Sequence, residues 1–204
     1  MGAHHQAMLM SGIAVAMYGF DSTINTSFIA YSGPANSIIE KLSSGVNYLA
    51  RSVQSHDTGK YYFAFVNTSE TSNDGLHVGV VTAAAPLTFP GSIAGTYGCQ
   101  INRAAGVGVW TNSTFSTLAG STLVAVGDTA MMAIDFDGGK IWYGRNGTWF
   151  NSGNPASGAG PNHTFTPNTT FFVAISEGYK AVRTAYFASG APYGPPSGFS
   201  YWDL

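Results

Sequence analysis

"AMMAIDFDGGKIWYGRNGTWF", residues 130 to 150, decides how the rest of this chain reads. Three short runs rich in apolar and aromatic residues are separated by two turn signals. Asp137-Gly138-Gly139 stands between the first two runs, where glycine takes a positive φ at no steric cost. Asn146-Gly147 stands between the second and third, and is the strongest short-range hairpin signal a sequence carries. The stretch therefore reads as a meander of three antiparallel strands. Side chains alternate along a strand, so Met132, Ile134 and Phe136 share one face and Ala133, Asp135 and Asp137 the other. Two carboxylates on one face suit glycosidic acid/base chemistry if another carboxylate stands about 5–9.5 Å away across a cleft. The only other acids are Asp21, Glu40, Asp57, Glu70, Asp74, Asp128, Glu177 and Asp203, and nothing near the pair suggests a pocket. Asp135 and Asp137 are read instead as acceptors for turn amides and as edge residues.

Outward from the meander the chain continues in the same manner. Residues 61–67, 76–82, 106–111, 169–176 and 181–188 are short runs of β-branched and aromatic residues, each bounded by turn formers. Twenty-six glycines and nine prolines supply the turns. "NSIIEKLSSG" (36–45) fits one short helix, with Asn36 or Ser37 as its cap and Gly45 as its stop. Many strands and almost no helix mean an all-β sandwich or barrel. The 204 residues suffice for one domain with a hydrophobic core and an extension.

Hydrophobic residues make up 45% of the chain, while charged ones make up only 9% against a usual quarter. The exterior must then be Ser, Thr, Asn and Gly. Surfaces poor in Lys and Glu are readily buried against other proteins. A net charge of −2 provides no basic field for nucleic acid. The eight Lys and Arg form no cluster for a membrane surface. "AMLMSGIAVAMYGF" (7–20) is too short and too broken by Gly and Ser to span a membrane. Its "AVA" resembles a signal-cleavage pattern, but no Lys or Arg precedes it. Residues 1–44 are read as an arm that packs on its own domain or on a neighbouring subunit, and 45–204 as the β-sandwich.

With these residues in view, the chain resembles the SPRY family. The resemblance rests on Asp135, the Asp137-Gly138-Gly139 turn, Ile141-Trp142-Tyr143, Asn146-Gly147 and Trp149. Outside the hairpin, Gly59, Lys60, Tyr62 and Phe63 match the family's early strand, and "HVGVVT" (77–82) the strand after it. Gly127-Asp128 matches the lead-in to the hairpin, and "TPNTTFFVAIS" (166–176) the strand beyond it. "PPSGFSYWDL" (195–204) is similar to the closing segment of SPRY-like domains in bacteriophage structural proteins. Ala64 and Tyr186-Phe187-Ala188 depart from the family's acidic residue and Asn-Phe-Gly. The resemblance implies a bent two-sheet antiparallel sandwich, concanavalin-like, that binds partners through loops at one end and has no catalytic residues. Taken with the low charge, the uncharged arm and the phage-like closing segment, the expectation is an outward-facing subunit of a tailed-phage virion, in the capsid decoration, a fibre or the tail. That subunit is expected to be anchored to other virion proteins by the arm and to be homo-oligomeric, with a trimer as the first expectation. An adhesin that recognises host-surface glycan is the alternative.

The remaining candidates are weaker. A sugar platform would draw on Tyr97, Trp110, Trp149 and Trp202, with Trp142 and Tyr193 considered beside them. Trp142 is expected in the core, and Trp149 and Trp202 at the surface or an interface. His4-His5 has no acid or thiol nearby, and His56, His77 and His163 are scattered, so no metal and no cofactor are expected. Cys99 reads as a buried or half-buried thiol. Six Asn-x-Ser/Thr triplets, at Asn25, Asn67, Asn112, Asn146, Asn162 and Asn168, are read as products of composition.

Overall fold

The computed structural model describes residues 18–71, 76–101, 106–118 and 124–204. Among them the strands in chain order are β1 (Ile29–Ser32), β2 (Ile38–Lys41), β3 (Tyr48–His56), β4 (Lys60–Glu70), β5 (His77–Val81), β6 (Tyr97–Ile101), β7 (Val107–Thr111) and β8 (Thr114–Thr117). They continue as β9 (Thr129–Asp135), β10 (Lys140–Arg145), β11 (Thr148–Trp149), β12 (His163–Thr164), β13 (Phe171–Glu177), β14 (Ala181–Tyr186) and β15 (Ser200–Tyr201). One sheet runs β1-β2-β14-β4-β9-β10-β11, with β12 on β10 and β15 on β4. The other runs β3-β13-β5-β6-β7-β8. All pairs are antiparallel except β15 with β4.

The meander lies in the first sheet. Ile141 pairs with Ile134 and Tyr143 with Met132, while Gly144 pairs with Trp149 across the next turn. Asn146 and Gly147 have φ of 47° and 80°, the double positive φ of a type I′ turn. Gly139 is required sterically, because a Cβ there would lie 2.2 Å from the Phe165 carbonyl oxygen. Met132, Ile134 and Phe136 enter the core between the sheets as expected, beside Phe63, Phe65, Val78, Val80 and Ile175.

Both sheets also carry a covered outer face. On the first, Tyr62, Met131, Ala133 and Trp142 are buried under Phe199 and its neighbours. On the second, Leu49, Val81 and Ala174 pack with Leu87 and Ile93 of the β5–β6 connection. That connection approaches the sheet closely where Gly79 faces Gly98 across β5 and β6. A Cβ on Gly79 would meet the Tyr97 carbonyl oxygen at 2.0 Å and Pro90 at 2.8 Å. Gly79→Ala is expected to cost about 1–3 kcal/mol through overpacking, read as a lower denaturant midpoint at unchanged slope. An unchanged midpoint would show that the connection moves away freely.

Three expectations are corrected. Residues 38–41 form β2, and the expected helix at 36–45 is absent; only a 3₁₀ turn, Pro34–Asn36, precedes the strand. β2 has a sheet neighbour on each side, β1 and β14, and Ile39 and Lys41 are buried while Glu40 is exposed. Tertiary pairing of β-branched residues overrides a weak cap signal there. The boundary at 44/45 falls in the connection from β2 to β3 and would cut β1 and β2 away from the first sheet, which they extend through β14. Phe20 is buried against Phe63 and Phe187. Residues 18–44 are thus part of the sandwich, and residues 1–17 of the expected arm, with His4-His5, lie outside the described residues. Trp202, expected at the surface or an interface, is fully buried between the sheets.

Candidate functional site

The aspartates of the meander hold turns. Asp135 accepts the Gly138 amide at 2.8 Å and pairs with Lys60 at 2.9 Å, and Asp137 accepts the Gly59 amide at 3.0 Å. Asp128 does more. Its carboxylate accepts the Ala125 amide (2.6 Å), Arg145 Nε (2.8 Å) and the Asn146 side-chain amide (2.6 Å). Asn146 Oδ1 in turn accepts the Thr129 amide at 2.8 Å. The Gly-Asp lead-in and the Asn-Gly turn are therefore one network, and these hydrogen bonds hold the Asp128 carboxyl below its usual range despite partial desolvation. Asp128→Ala is expected to cost about 1.5–3 kcal/mol and to raise hydrogen exchange at the Ala125 and Thr129 amides. Unchanged exchange would show that water replaces the carboxylate.

The histidines and the thiol are internal. His163 is bonded by Thr111 Oγ1 (3.0 Å) and the Gly98 carbonyl (3.2 Å), and burial lowers its pKa to about 4. His77 stacks on Phe89, and His56 stacks on Tyr61 with Nε2 on the Trp202 carbonyl. Cys99 is fully buried, and desolvation raises its pKa. Among the described residues no three His, Cys, Asp or Glu gather as a metal site. Of the Asn triplets, Asn67 is buried, and Asn25, Asn146 and Asn162 use their side chains in internal hydrogen bonds, while Asn112 and Asn168 are exposed.

The candidate aromatics separate. Trp202 packs on His56, Tyr61 and Phe136, and Trp142 is buried under Phe199. Tyr97 fills the gap among His163, Phe165 and Phe171. Trp110 lies among Phe89, Phe115 and His77 on the outside of the second sheet, its Nε1 donating to Gln100 at 2.6 Å. Trp149 also stands among other partly exposed aromatics, on the outer face of the first sheet. Tyr62 lies between Trp149 (6.4 Å, edge-on) and Tyr201 (5.7 Å, edge-on), and its hydroxyl donates to the Tyr193 carbonyl. Tyr193, 39% exposed, lays its ring against Gly147 of the hairpin turn.

The strand directions give the sandwich two distinct ends. One end holds the starts of β4, β10 and β13 and the ends of β3 and β9. Gly19 and Asp203 meet there, the Gly19 amide donating to the Asp203 carboxylate at 2.8 Å. The opposite end holds the ends of β2, β4 and β13 and the starts of β9 and β14. Its tips expose Leu42, Val46 and Val126. Beside them a recess of about 440 Å³ is lined by Glu40–Leu42, Ser69–Thr71 and Lys180–Val182. Beneath the recess, Arg183 is 1% exposed, 2.6 Å from Glu177 and 3.5 Å from Glu70. The Arg183 Nε–H is not aimed at Glu177, so that contact is ionic, while Nη1 donates to Asn67 Oδ1 and the Ser69 carbonyl, both at 2.7 Å. Sequence reasoning missed this group, because no local pattern marks residues 70, 177 and 183 as neighbours.

No family model matches the sequence, and no curated protein matches it. Solved structures do. The chain is similar to the PSpry domain of TRIM65, with a TM-score of 0.61 at 15% identity over 83% of this chain and 91% of that one. It is similar to the SPRY domain of human HERC1, with a TM-score of 0.61 at 16% identity over 82% and 96%. It is also similar to part of stonustoxin, with a TM-score of 0.60 at 12% identity over 83% of this chain and 28% of that one. The architecture that the meander implied is thus established: the chain has a SPRY-like β-sandwich fold.

Proposed function

We propose that this chain is a non-enzymatic structural protein of a tailed-bacteriophage virion, carried on the outside of the particle and displaying its sandwich as a binding module. The observation that carries the reading is the division of the two ends. Gly19 and Asp203 lie at one, and Leu42, Val46, Val126 and the recess at the other. A chain tethered through residues upstream of Tyr18 would hold the apolar tips away from its tether. Exposed apolar tips rimmed by polar residues suit protein contact. A charged fraction of 9% supports burial of much of the remaining surface against other subunits, including copies of this chain. The closing segment adds the phage likeness, with Phe199 on Trp142 and Trp202 in the core.

Gradient-purified particles of the phage whose genome encodes the chain should yield its peptides by mass spectrometry, and antibody against the sandwich should label their exterior. Particles that lack the chain, or that hold it only inside, end this reading. Light scattering of the full chain and of a chain without residues 1–17 then reads whether the upstream segment drives self-association.

A further inference from the structure

We infer that the outer face of the first sheet carries a stacking platform for an uncharged sugar, built from Trp149, Tyr193 and Tyr201 around Tyr62. This site lies on the sheet's outer face and does not depend on the virion reading.

Three features point to it. First, the aromatics converge from distant parts of the chain. Trp149 comes from β11, Tyr201 from β15 and Tyr193 from the connection before it, and Tyr62 at the centre ties them by two edge-on contacts and one hydrogen bond. Second, their burial stops short. Tyr62 is fully buried, while Trp149 and Tyr201 stay partly exposed and Tyr193 is 39% exposed. Amphipathic rings with an apolar face and a polar edge are the side chains that meet the C–H face of a sugar while its hydroxyls stay hydrated. Third, the surrounding charge is already neutralised. Lys60, beside Phe199, is paired with Asp135 at 2.9 Å, and Arg145, one residue before the hairpin turn, with Asp128 at 2.6 Å. Lys140, a third cation on this face, donates to the Gly158 carbonyl at 3.0 Å, so an acidic or phosphorylated sugar finds no cation without a partner there among the described residues, and the chemistry fits a neutral glycan. The other aromatic group, Trp110 with Phe89, Phe115 and His77, is satisfied internally through the Trp110–Gln100 bond and serves as the comparison.

The test uses the full chain on an array of neutral and acidic glycans, followed by titration of the best neutral oligosaccharide with tryptophan fluorescence as the readout. Expected is saturable binding to neutral glycans and a change in Trp emission. Trp149→Ala and Tyr193→Ala are each expected to weaken binding at least ten-fold. Trp110→Ala should bind as the parent does. Thermal unfolding of each variant separates loss of the platform from loss of the fold, and Tyr193→Ser repeats the test should Trp149→Ala unfold. No binding on the array, binding confined to acidic glycans, or binding lost in Trp110→Ala and kept in Tyr193→Ala would each overturn the inference.

Discussion

Replacing Arg183 by methionine is expected to lower the stability of the fold by about 3–5 kcal/mol. Arg183 is the cation on which two carboxylates of the sandwich depend. Glu177 is 4% exposed and 2.6 Å away, and Glu70 is 3.5 Å away and also holds the Asn67 side-chain amide at 3.0 Å. Methionine keeps the bulk and removes the charge, so Glu177 and Glu70 remain in a desolvated site with Lys41 as the nearby compensation. Removing one partner of a buried ion group leaves the other charge uncompensated, which costs far more than the net worth of the group. A triple change, Arg183→Met with Glu177→Leu and Glu70→Gln, should recover most of the loss. Urea unfolding reads both chains. A cost below about 1 kcal/mol for Arg183→Met would mean that water enters the site and solvates the carboxylates.

The same group sets a pH dependence. Burial lifts the Glu177 carboxyl from 4.5 to about 7, against the opposing pull of Arg183. Between those values the folded chain keeps a proton that the unfolded chain releases. The stabilisation is complete below about pH 4.5 and is lost as pH rises through about 7. Asp203, raised by burial from 3.8 to about 7, acts in the same direction. His163 acts oppositely. Its pKa is lowered from 6.5 to about 4, so its contribution is present above 6.5 and lost as pH falls toward 4. Glu177→Gln should flatten the fall in stability between about pH 5 and 7, and a slope unchanged by that substitution would assign it to Asp203 instead.

Trp202→Ala is the second large effect, with an expected cost of about 3–5 kcal/mol. The indole is fully buried, edge-on to His56 at 4.8 Å and near Tyr61 and Phe136 at 5.9 and 6.1 Å. Its Nε1 donates to the Gln54 carbonyl at 3.2 Å, and its own carbonyl meets His56 Nε2 at 2.6 Å. Truncation opens a cavity among groups from β3, β4 and the turn after β9, and removes one of the donors to the Gln54 carbonyl, which keeps Ser52 Oγ at 2.7 Å. Trp202→Phe should restore part of the packing and none of that hydrogen bond. If Trp202→Ala unfolds at the parent midpoint, the closing segment is dispensable and the clasp formed by β15 along β4 contributes little.

The meander was legible because its information is local. Asn146-Gly147 sets a turn that only positive φ satisfies, and period-two alternation places Met132 and Ile134 in the core without reference to any other part of the chain. Trp142 was legible as core because it lies mid-strand, and Cys99 as an internal thiol because no helix terminus or His stands beside it in the sequence. β3 was not, because "YLARSVQSH" disguises its buried Leu49, Ala50 and Ser52 among polar residues. β2 was misread because a cap-like Asn36-Ser37 and a Gly45 stop are weak local signals, and two sheet neighbours outweigh them.

By itself the sequence determined the all-β class, the hairpin and the inward face of β9, which follow from backbone preference and side-chain alternation over a few residues; the family likeness rested on the resemblance of the hairpin and its flanking motifs. Only the tertiary structure decided that residues 18–44 build the sheet, that Trp202 is core, that Arg183 unites Glu70 and Glu177, and that Trp149, Tyr193 and Tyr201 surround Tyr62. The physical reason is separation along the chain. Glu70 and Arg183 meet across 113 residues and Tyr62 and Tyr193 across 131. A contact over such a distance depends on how the sheets pack, to which no local window of residues has access.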